Sequence, residues 1–172
     1  MEFMPFVVKA GTQERISAKI EEMTKDDAKK TTSEPFWQTD WTSDYLSNPD
    51  FLTYALKIAE TDELVGLAAY SLENEQMTVQ IVYMESHPES NPTITKKKKY
   101  DGIGKVLIAY GIKLSIDSEL LGDVFLEAKT SELEKHYVEC YGAYPVARNP
   151  GGPARFAISD NEASAIFVTY LI

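Results

Sequence analysis

The sequence predicts an α/β (α+β) chain. Its mixed central sheet combines an antiparallel meander with a following parallel βαβ crossover, and helices flank it. Two observations predict this. Three apolar runs, Phe51 to Ala59, Leu64 to Leu72 and Met77 to Glu85, are separated only by Thr61-Asp62-Glu63 and Glu73-Asn74-Glu75-Gln76. Polar turns that short join antiparallel neighbours. The third run is followed by a long loop, a strongly apolar helix from Val106 to Ile116, and another strand from Asp123 to Ala128. Strand, helix and strand in that order imply a right-handed crossover and a parallel pair.

The remaining elements follow in chain order. Pro5 to Ala10 reads as a short first strand. Ile16 to Lys29 reads as a polar helix with Ile16, Ile20 and Met23 as a sparse apolar stripe. Thr31-Thr32-Ser33 breaks it. Pro35 suits the first turn of a second helix, on which Trp37, Trp41 and Tyr45 lie along one face at spacing i, i+4, i+8. Ser86 to Lys98, with Pro88 and Pro92, is a loop of a length that is often functional or mobile. In the helix after it, Ile103, Val106, Leu107, Tyr110 and Leu114 repeat at helical spacing, and Ile108, Ala109, Ile112 and Ile116 widen the stripe, so it is largely buried. Gly122 stands where a C-terminal cap would be. Ser131-Glu132-Leu133-Glu134 reads as a capping box opening a helix that runs through Tyr141 and ends at Gly142. Tyr144 to Ala147 and Arg155 to Ser159 form a hairpin around Asn149-Pro150-Gly151-Gly152. Asp160 or Asn161 caps a last helix with Ala163, Ile166, Phe167 and Tyr170 on one face.

The 172 residues suggest a single domain, 1–172, with room for a real core. No run approaches the ~20 apolar residues needed to span a bilayer. Glu2 stands where a signal peptide would be basic, and the run from Phe3 to Val8 is too short for one. The lone cysteine, Cys140, fits a reducing cytoplasm, and His87 and His136 lie too far apart for a metal-ligand spacing. The net charge of −10 argues against general nucleic-acid binding and is compatible with a cationic or neutral small substrate.

Lys99-Tyr100-Asp101-Gly102-Ile103-Gly104-Lys105 opens the buried helix. A glycine turn at a helix N-terminus presents N–H groups without intrahelical acceptors, at the positive end of the helix dipole. Two glycines one residue apart let a pyrophosphate approach the backbone. Lys96-Lys97-Lys98-Lys99 stand directly before the turn, either as a solvated loop or as charge for that anion.

The order of meander, long loop, glycine turn, buried helix, strand, and a helix with a tyrosine ahead of Gly142-Ala143 resembles the GNAT superfamily of acetyl-CoA-dependent N-acetyltransferases. The family's Gln/Arg-x-x-Gly-x-Gly/Ala turn reads here Lys99-Tyr100-Asp101-Gly102-Ile103-Gly104, with lysine in the first place. The resemblance implies that Lys99, Tyr100, Asp101, Gly102, Ile103, Gly104 and Lys105 hold the coenzyme A pyrophosphate. It implies that acetyl-CoA lies where the strands containing Val82 to Ser86 and Val124 to Ala128 splay apart, with backbone groups near Met84 pairing with the pantetheine arm. Glu85 would remove a proton from the acceptor amine, and Tyr137 would protonate the departing thiolate. The family's commoner spacing puts that tyrosine four residues before the glycine, where Val138 stands. Tyr137 is five before it and Tyr141 one, so both are eligible; the alternative for the tyrosines is a buried aromatic stripe. An exposed strand-end carboxylate is the alternative for Glu85, with His87 as another base. Trp37, Trp41 and Tyr45 read as a satellite core or, by the resemblance, as one wall of an acceptor pocket in which Asp40 and Asp44 would hold a cation. Direct acetyl transfer to a small-molecule or peptide amine is implied, with no metal, nucleic acid or membrane, and family members are often homodimers. The rival reading is a non-catalytic acyl-CoA-binding or protein-interaction module on the same fold. An NTPase is disfavoured because no Gly-Lys-Ser/Thr follows the turn.

Overall fold

The computed structural model describes residues 1–172. In chain order the strands and α-helices are β1 (Phe6–Lys9), β2 (Arg15–Glu22), α1 (Lys25–Lys29), β3 (Leu52–Ile58), β4 (Leu64–Glu73), β5 (Thr78–Ser86), β6 (Tyr100–Asp101), α2 (Ile103–Asp117), β7 (Asp123–Ala128), α3 (Ser131–Tyr141), β8 (Tyr144–Val146), β9 (Ala154–Ile158) and α4 (Asp160–Val168). The nine strands hydrogen-bond in the order β6-β1-β2-β3-β4-β5-β7-β9-β8. β5 and β7 are the parallel pair, with Thr78 to Ile81 in register with Asp123 to Leu126. The mixed sheet expected from the turn lengths and the crossover is present. No helix is long and apolar enough to cross a membrane.

The chain forms two compact units. The first comprises Met1–Ala69, Tyr83–Leu107 and Ile172. Its core includes Val7, Trp41, Ala55, Leu56, Val65 and Leu67, all at most 2% exposed. The expected helix from Ile16 to Lys29 is instead strand β2 followed by the short α1. Ile16, Ala18 and Ile20 alternate at period two, and β2 pairs antiparallel with β1 and with β3. Two ladders outweigh a weak helical stripe. Thr24 and Asp27 form the capping box of α1, each side chain accepting the other's backbone N–H. Asp27, almost fully buried, takes Lys57 Nζ at 3.0 Å, and Glu21 takes the same ammonium at 2.8 Å. Burial works against the Asp27 anion, but the Thr24 and Lys57 hydrogen bonds prevail and hold its pKa below the ordinary carboxylate value.

The helix expected from Pro35 is also absent. Residues 34–50 are turns and bends, in which Trp37, Trp41 and Leu46 are buried while Tyr45 is 65% exposed. Local side-chain bonds replace a helical ladder: Asp40 accepts from the Thr42 N–H, and Asn48 from the Asp50 N–H.

The second unit comprises Tyr70–Val82 and Ile108–Leu171. Val79, Ile108, Ile112, Val124, Leu126 and Ile158 are its sealed apolar centre. β9 pairs antiparallel with both β7 and β8, as the terminal hairpin requires. Three expected caps shift. Thr130, not Ser131, caps α3 by accepting the Leu133 N–H at 3.1 Å. Ser159 precedes α4 without a side-chain cap. α2 stops at Asp117, and Gly122 lies beyond it, donating its N–H to Ser115 Oγ at 3.0 Å.

Candidate functional site

Residues 99–105 do not form one continuous turn. Tyr100 and Asp101 make the short β6, registering with Lys9 and Val8 of β1. The Lys99 N–H goes to Glu89 O at 3.0 Å and the Tyr100 N–H to Ser90 Oγ at 3.0 Å. The chain then reverses at Gly102, whose φ is +86°, a conformation that suits glycine. A Cβ built there would have no atom within 4 Å, so the space beside the turn is open. The Val106 N–H closes on Gly102 O at 3.1 Å. The helical ladder thus begins at Val106, and the N–H groups of Ile103, Gly104 and Lys105 have no helical acceptor. This cradle suits an anion.

Around the cradle the charges are largely paired. Lys99 Nζ bonds Glu63 Oε1 and lies 3.7 Å from Glu89, and the Tyr100 hydroxyl donates to Glu63 Oε2 at 3.1 Å. The Glu63 hydrogen bond raises the Lys99 pKa above its ordinary value. Lys98 lies 3.8 Å from Asp101, whereas Lys96 and Lys97 are exposed with no carboxylate within 4 Å.

Glu85, near the end of β5, is 6% exposed, and residues 38–41 clamp it. Its Oε2 accepts the Gln38 N–H at 2.7 Å and its Oε1 accepts Trp41 Nε1–H at 3.0 Å. Burial raises the Glu85 pKa, and the bonds from Trp41, Gln38 and Thr39 oppose that rise. The neighbouring Tyr83 hydroxyl accepts from Thr39 Oγ1 at 2.8 Å, and its ring meets Trp41 edge-on at 5.7 Å. Asn91 Nδ2 donates to Gln38 Oε1 at 3.2 Å, joining the clamp to the loop that leads to the glycine turn. Met84 is half-buried on β5.

Beside this clamp a pocket of about 220 Å³ is lined by Glu34, Pro35, Trp37, Glu63, Leu64 and His87 among others. The Trp37 and His87 rings meet edge-on at 5.7 Å. His87 Nδ1 accepts the Glu89 N–H at 3.1 Å, which leaves the proton of the neutral ring on Nε2. Burial lowers the His87 pKa and keeps the ring neutral near pH 7.

Tyr137 belongs to the second unit. It is the buried residue of α3, and its carbonyl accepts the Gly142 and Ala143 N–H groups. Tyr141 sits 6.5 Å from it, ring to ring. Burial pushes the Tyr141 phenol up to about 12. The first unit therefore brings together Met84, Glu85 and all of Lys99 to Lys105, while Tyr137 and Tyr141 are carried by the second. Sequence reading missed Gln38, Glu63 and Ser90, whose partners lie 47, 36 and 10 residues away. No local spacing signals such pairs.

No family model matches the sequence, and no curated protein does either. Solved structures do match. An aminoglycoside acetyltransferase, AAC(6')-Ib, solved with coenzyme A and kanamycin, aligns at TM-score 0.56 and 17% identity over 87% of this chain and 98% of its own. A Bacillus subtilis acetyltransferase in complex with CoA aligns at TM-score 0.52 and 17% identity, over 83% and 97%. The PaiA N-acetyltransferase of Thermoplasma acidophilum, also with coenzyme A, aligns at TM-score 0.53 and 13% identity, over 84% and 100%. The chain has the GNAT fold. Against that fold, the β5–α2–β7 crossover and the Gly102 cradle stand in the order expected from the sequence. At identities this low the likeness concerns the fold.

Proposed function

We propose that the protein is an acetyl-CoA-dependent N-acetyltransferase that transfers the acetyl group directly to a primary amine. The observation that carries this reading is the open, positive-φ Gly102 turn at the start of α2 in a chain with the GNAT fold. Acetyl-CoA supplies the activated acyl group. The N–H groups of Ile103, Gly104 and Lys105 hold its pyrophosphate, with Lys99, Tyr100 and Asp101 shaping the approach, and the backbone near Met84 pairs with the pantetheine arm. Glu85 removes the proton of the acceptor ammonium. Its buried position raises its pKa, which strengthens it as a base relative to an exposed carboxylate. Tyr137 protonates the thiolate. Burial makes the Tyr141 phenol, pushed up to about 12, a weaker acid than an ordinary phenol.

Binding is tested by melting the protein with and without acetyl-CoA. A ligand that binds only the native state raises Tm by mass action. In Gly104→Asp the added carboxylate repels the pyrophosphate, so the rise should vanish while the unliganded variant stays folded. A full rise in folded Gly104→Asp would remove the turn from the site. Turnover is tested by free-thiol release across an amine panel. Tyr137→Phe should cut kcat roughly 10²–10⁴-fold with little change in acetyl-CoA affinity, and Glu85→Gln should remove the acidic limb of the pH–rate profile. A large loss in Tyr141→Phe with wild-type turnover in Tyr137→Phe would move the acid to Tyr141. The second reading is a non-catalytic acyl-CoA-binding module. It is favoured by the engagement of both Glu85 oxygens by Gln38 and Trp41, and tight acetyl-CoA binding without thiol release on any amine would establish it.

A further inference from the structure

Arg155, on β9 in the second unit, is a guanidinium buried without a counter-charge. The residue is 8% exposed. Its Nε and Nη2 donate to one atom, Gln80 Oε1, at 3.2 and 2.7 Å, and its central carbon lies 4.4 Å from the centroid of the Phe125 ring. Gln80 is itself buried, and its Nε2 donates to Ile81 O at 3.2 Å, which aims Oε1 at the arginine. No carboxylate lies within salt-bridge distance. Glu127 is the cross-strand partner of Arg155 in the β7–β9 register, yet forms no ion pair with it.

Burying a charge is costly unless an opposite charge joins it. An amide oxygen and a ring face answer only part of that cost. A guanidinium has five N–H donors in a planar fork. Gln80 occupies the side edge formed by Nε and Nη2. The end-on edge, with one Nη1 hydrogen and the second Nη2 hydrogen, has no protein acceptor, and neither has the other Nη1 hydrogen on the Cδ side. Every fully sealed side-chain nitrogen and oxygen in the protein has a partner. Nη1 has none, so the small exposed part of Arg155 includes that nitrogen. A mostly buried cation thus keeps one nitrogen, Nη1, unpaired and in part exposed.

We propose that this edge of Arg155 is a binding position for the carboxylate of a small organic acid, gripped by parallel N–H···O bonds from Nη1 and Nη2. The planar fork matches the two oxygens of a carboxylate. Gln80 and Phe125 hold the fork at a fixed angle, so little order is lost on binding. Carboxylate binding at this edge does not rest on the transferase reading. The carboxylate can come from an amino acid, which would then be an acetyl acceptor, or from an acid without an amine, which would be an effector.

The test is the melting of the full chain with a panel of carboxylates at matched ionic strength, followed by calorimetric titration of those that act. The panel holds the proteinogenic amino acids, propionate and the C3–C6 dicarboxylic acids, with propionamide as a neutral isostere. At least one carboxylate should raise Tm and propionamide should not. In Arg155→Gln the affinity should fall about 10–100-fold, the usual loss for charge-assisted bonds. Arg155→Lys keeps the charge without the fork; it should bind more weakly than wild type and serves if the glutamine variant does not fold. Thiol release with acetyl-CoA separates the two sources, since only an amino acid can be acetylated. Acetyl-CoA binding is measured separately, so failure of the transferase reading leaves this result intact. A panel in which no carboxylate shifts the wild type, or in which the shift is the same in both variants, overturns the proposal and leaves Arg155 as a packing residue.

Discussion

At the scale of single residues, Glu85 sets the terms. Its carboxylate is nearly sealed, yet both oxygens have donors, from the Gln38 backbone and the Trp41 indole. A buried anion without such donors would be protonated. Trp41 therefore both packs and solvates. Trp41→Phe removes the indole N–H and part of the packed volume. A lost bond to a charged group and the small cavity together should cost about 2–4 kcal/mol at neutral pH. The pH dependence has a definite sign. The folded-state pKa of Glu85 is raised, so its contribution to stability is full at acid pH and is lost as pH rises through that value. Removing a donor to the anion raises the pKa further. The gap between wild type and Trp41→Phe should widen from pH 4 to pH 7 in urea denaturation, and a gap constant across that range would show that Trp41 serves Glu85 only by packing. Glu85 itself was legible as a carboxylate at a strand end. Its clamp was not, because the donors lie 44 and 47 residues away and one of them is a backbone group, which carries no signature of side-chain type.

At the scale of elements, the glycine turn depends on how α2 is seated. Gly66 on β4 leaves no gap beneath the first turn of α2: a Cβ there would lie 2.9 Å from Ile103 Cγ2, 3.4 Å from Leu107 Cδ1 and 3.5 Å from the Glu85 carbonyl. Ile103 and Leu107 are almost completely buried, so they have little room to yield. Gly66→Ala should therefore destabilise by about 1–3 kcal/mol, the usual range for overpacking. It should also shift Ile103, whose N–H lies in the cradle, and so weaken the acetyl-CoA-induced rise in Tm more than a surface alanine substitution does. An undiminished rise in Gly66→Ala would show that the cradle tolerates movement of α2. The long apolar elements, β4, β5, α2 and β7, were readable because their length and burial leave one periodicity. β2 and residues 34–50 were misread as helix for one reason. Ile16 and Ile20, like Trp37 and Trp41, satisfy i, i+4 spacing, but β-ladders in the first case and local turn bonds in the second decide the backbone. A four-residue step is also a multiple of two, so a sparse pattern cannot separate helix from strand.

At the scale of the whole molecule, the chain has a net charge of −10 and would repel a polyanionic cosubstrate at long range. Lys96 to Lys99 form the densest positive run, immediately before the cradle. Lys99 is held by Glu63 and Glu89, and Lys98 lies near Asp101, so Lys96 and Lys97 carry the freest charge. Such a run contributes field more than fixed contacts. Its effect should act at short range against an otherwise repulsive surface and fade as salt shortens the Debye length, ~8 Å at physiological ionic strength. Changing Lys96, Lys97 and Lys98 together to Gln should weaken acetyl-CoA binding roughly 3–10-fold at low salt, as expected for a few exposed charges worth under about 1 kcal/mol each. The folded-state Tm without ligand should change little, because none of the three is buried. Titration at rising salt should bring wild-type and variant affinities together. Equal affinities at low salt would mean that Gly102 and the free N–H groups bind the pyrophosphate without help from this run, and that the lysines only solvate the loop. A difference that persists at high salt would instead point to direct, fixed lysine–phosphate bonds, formed after Lys98 leaves Asp101.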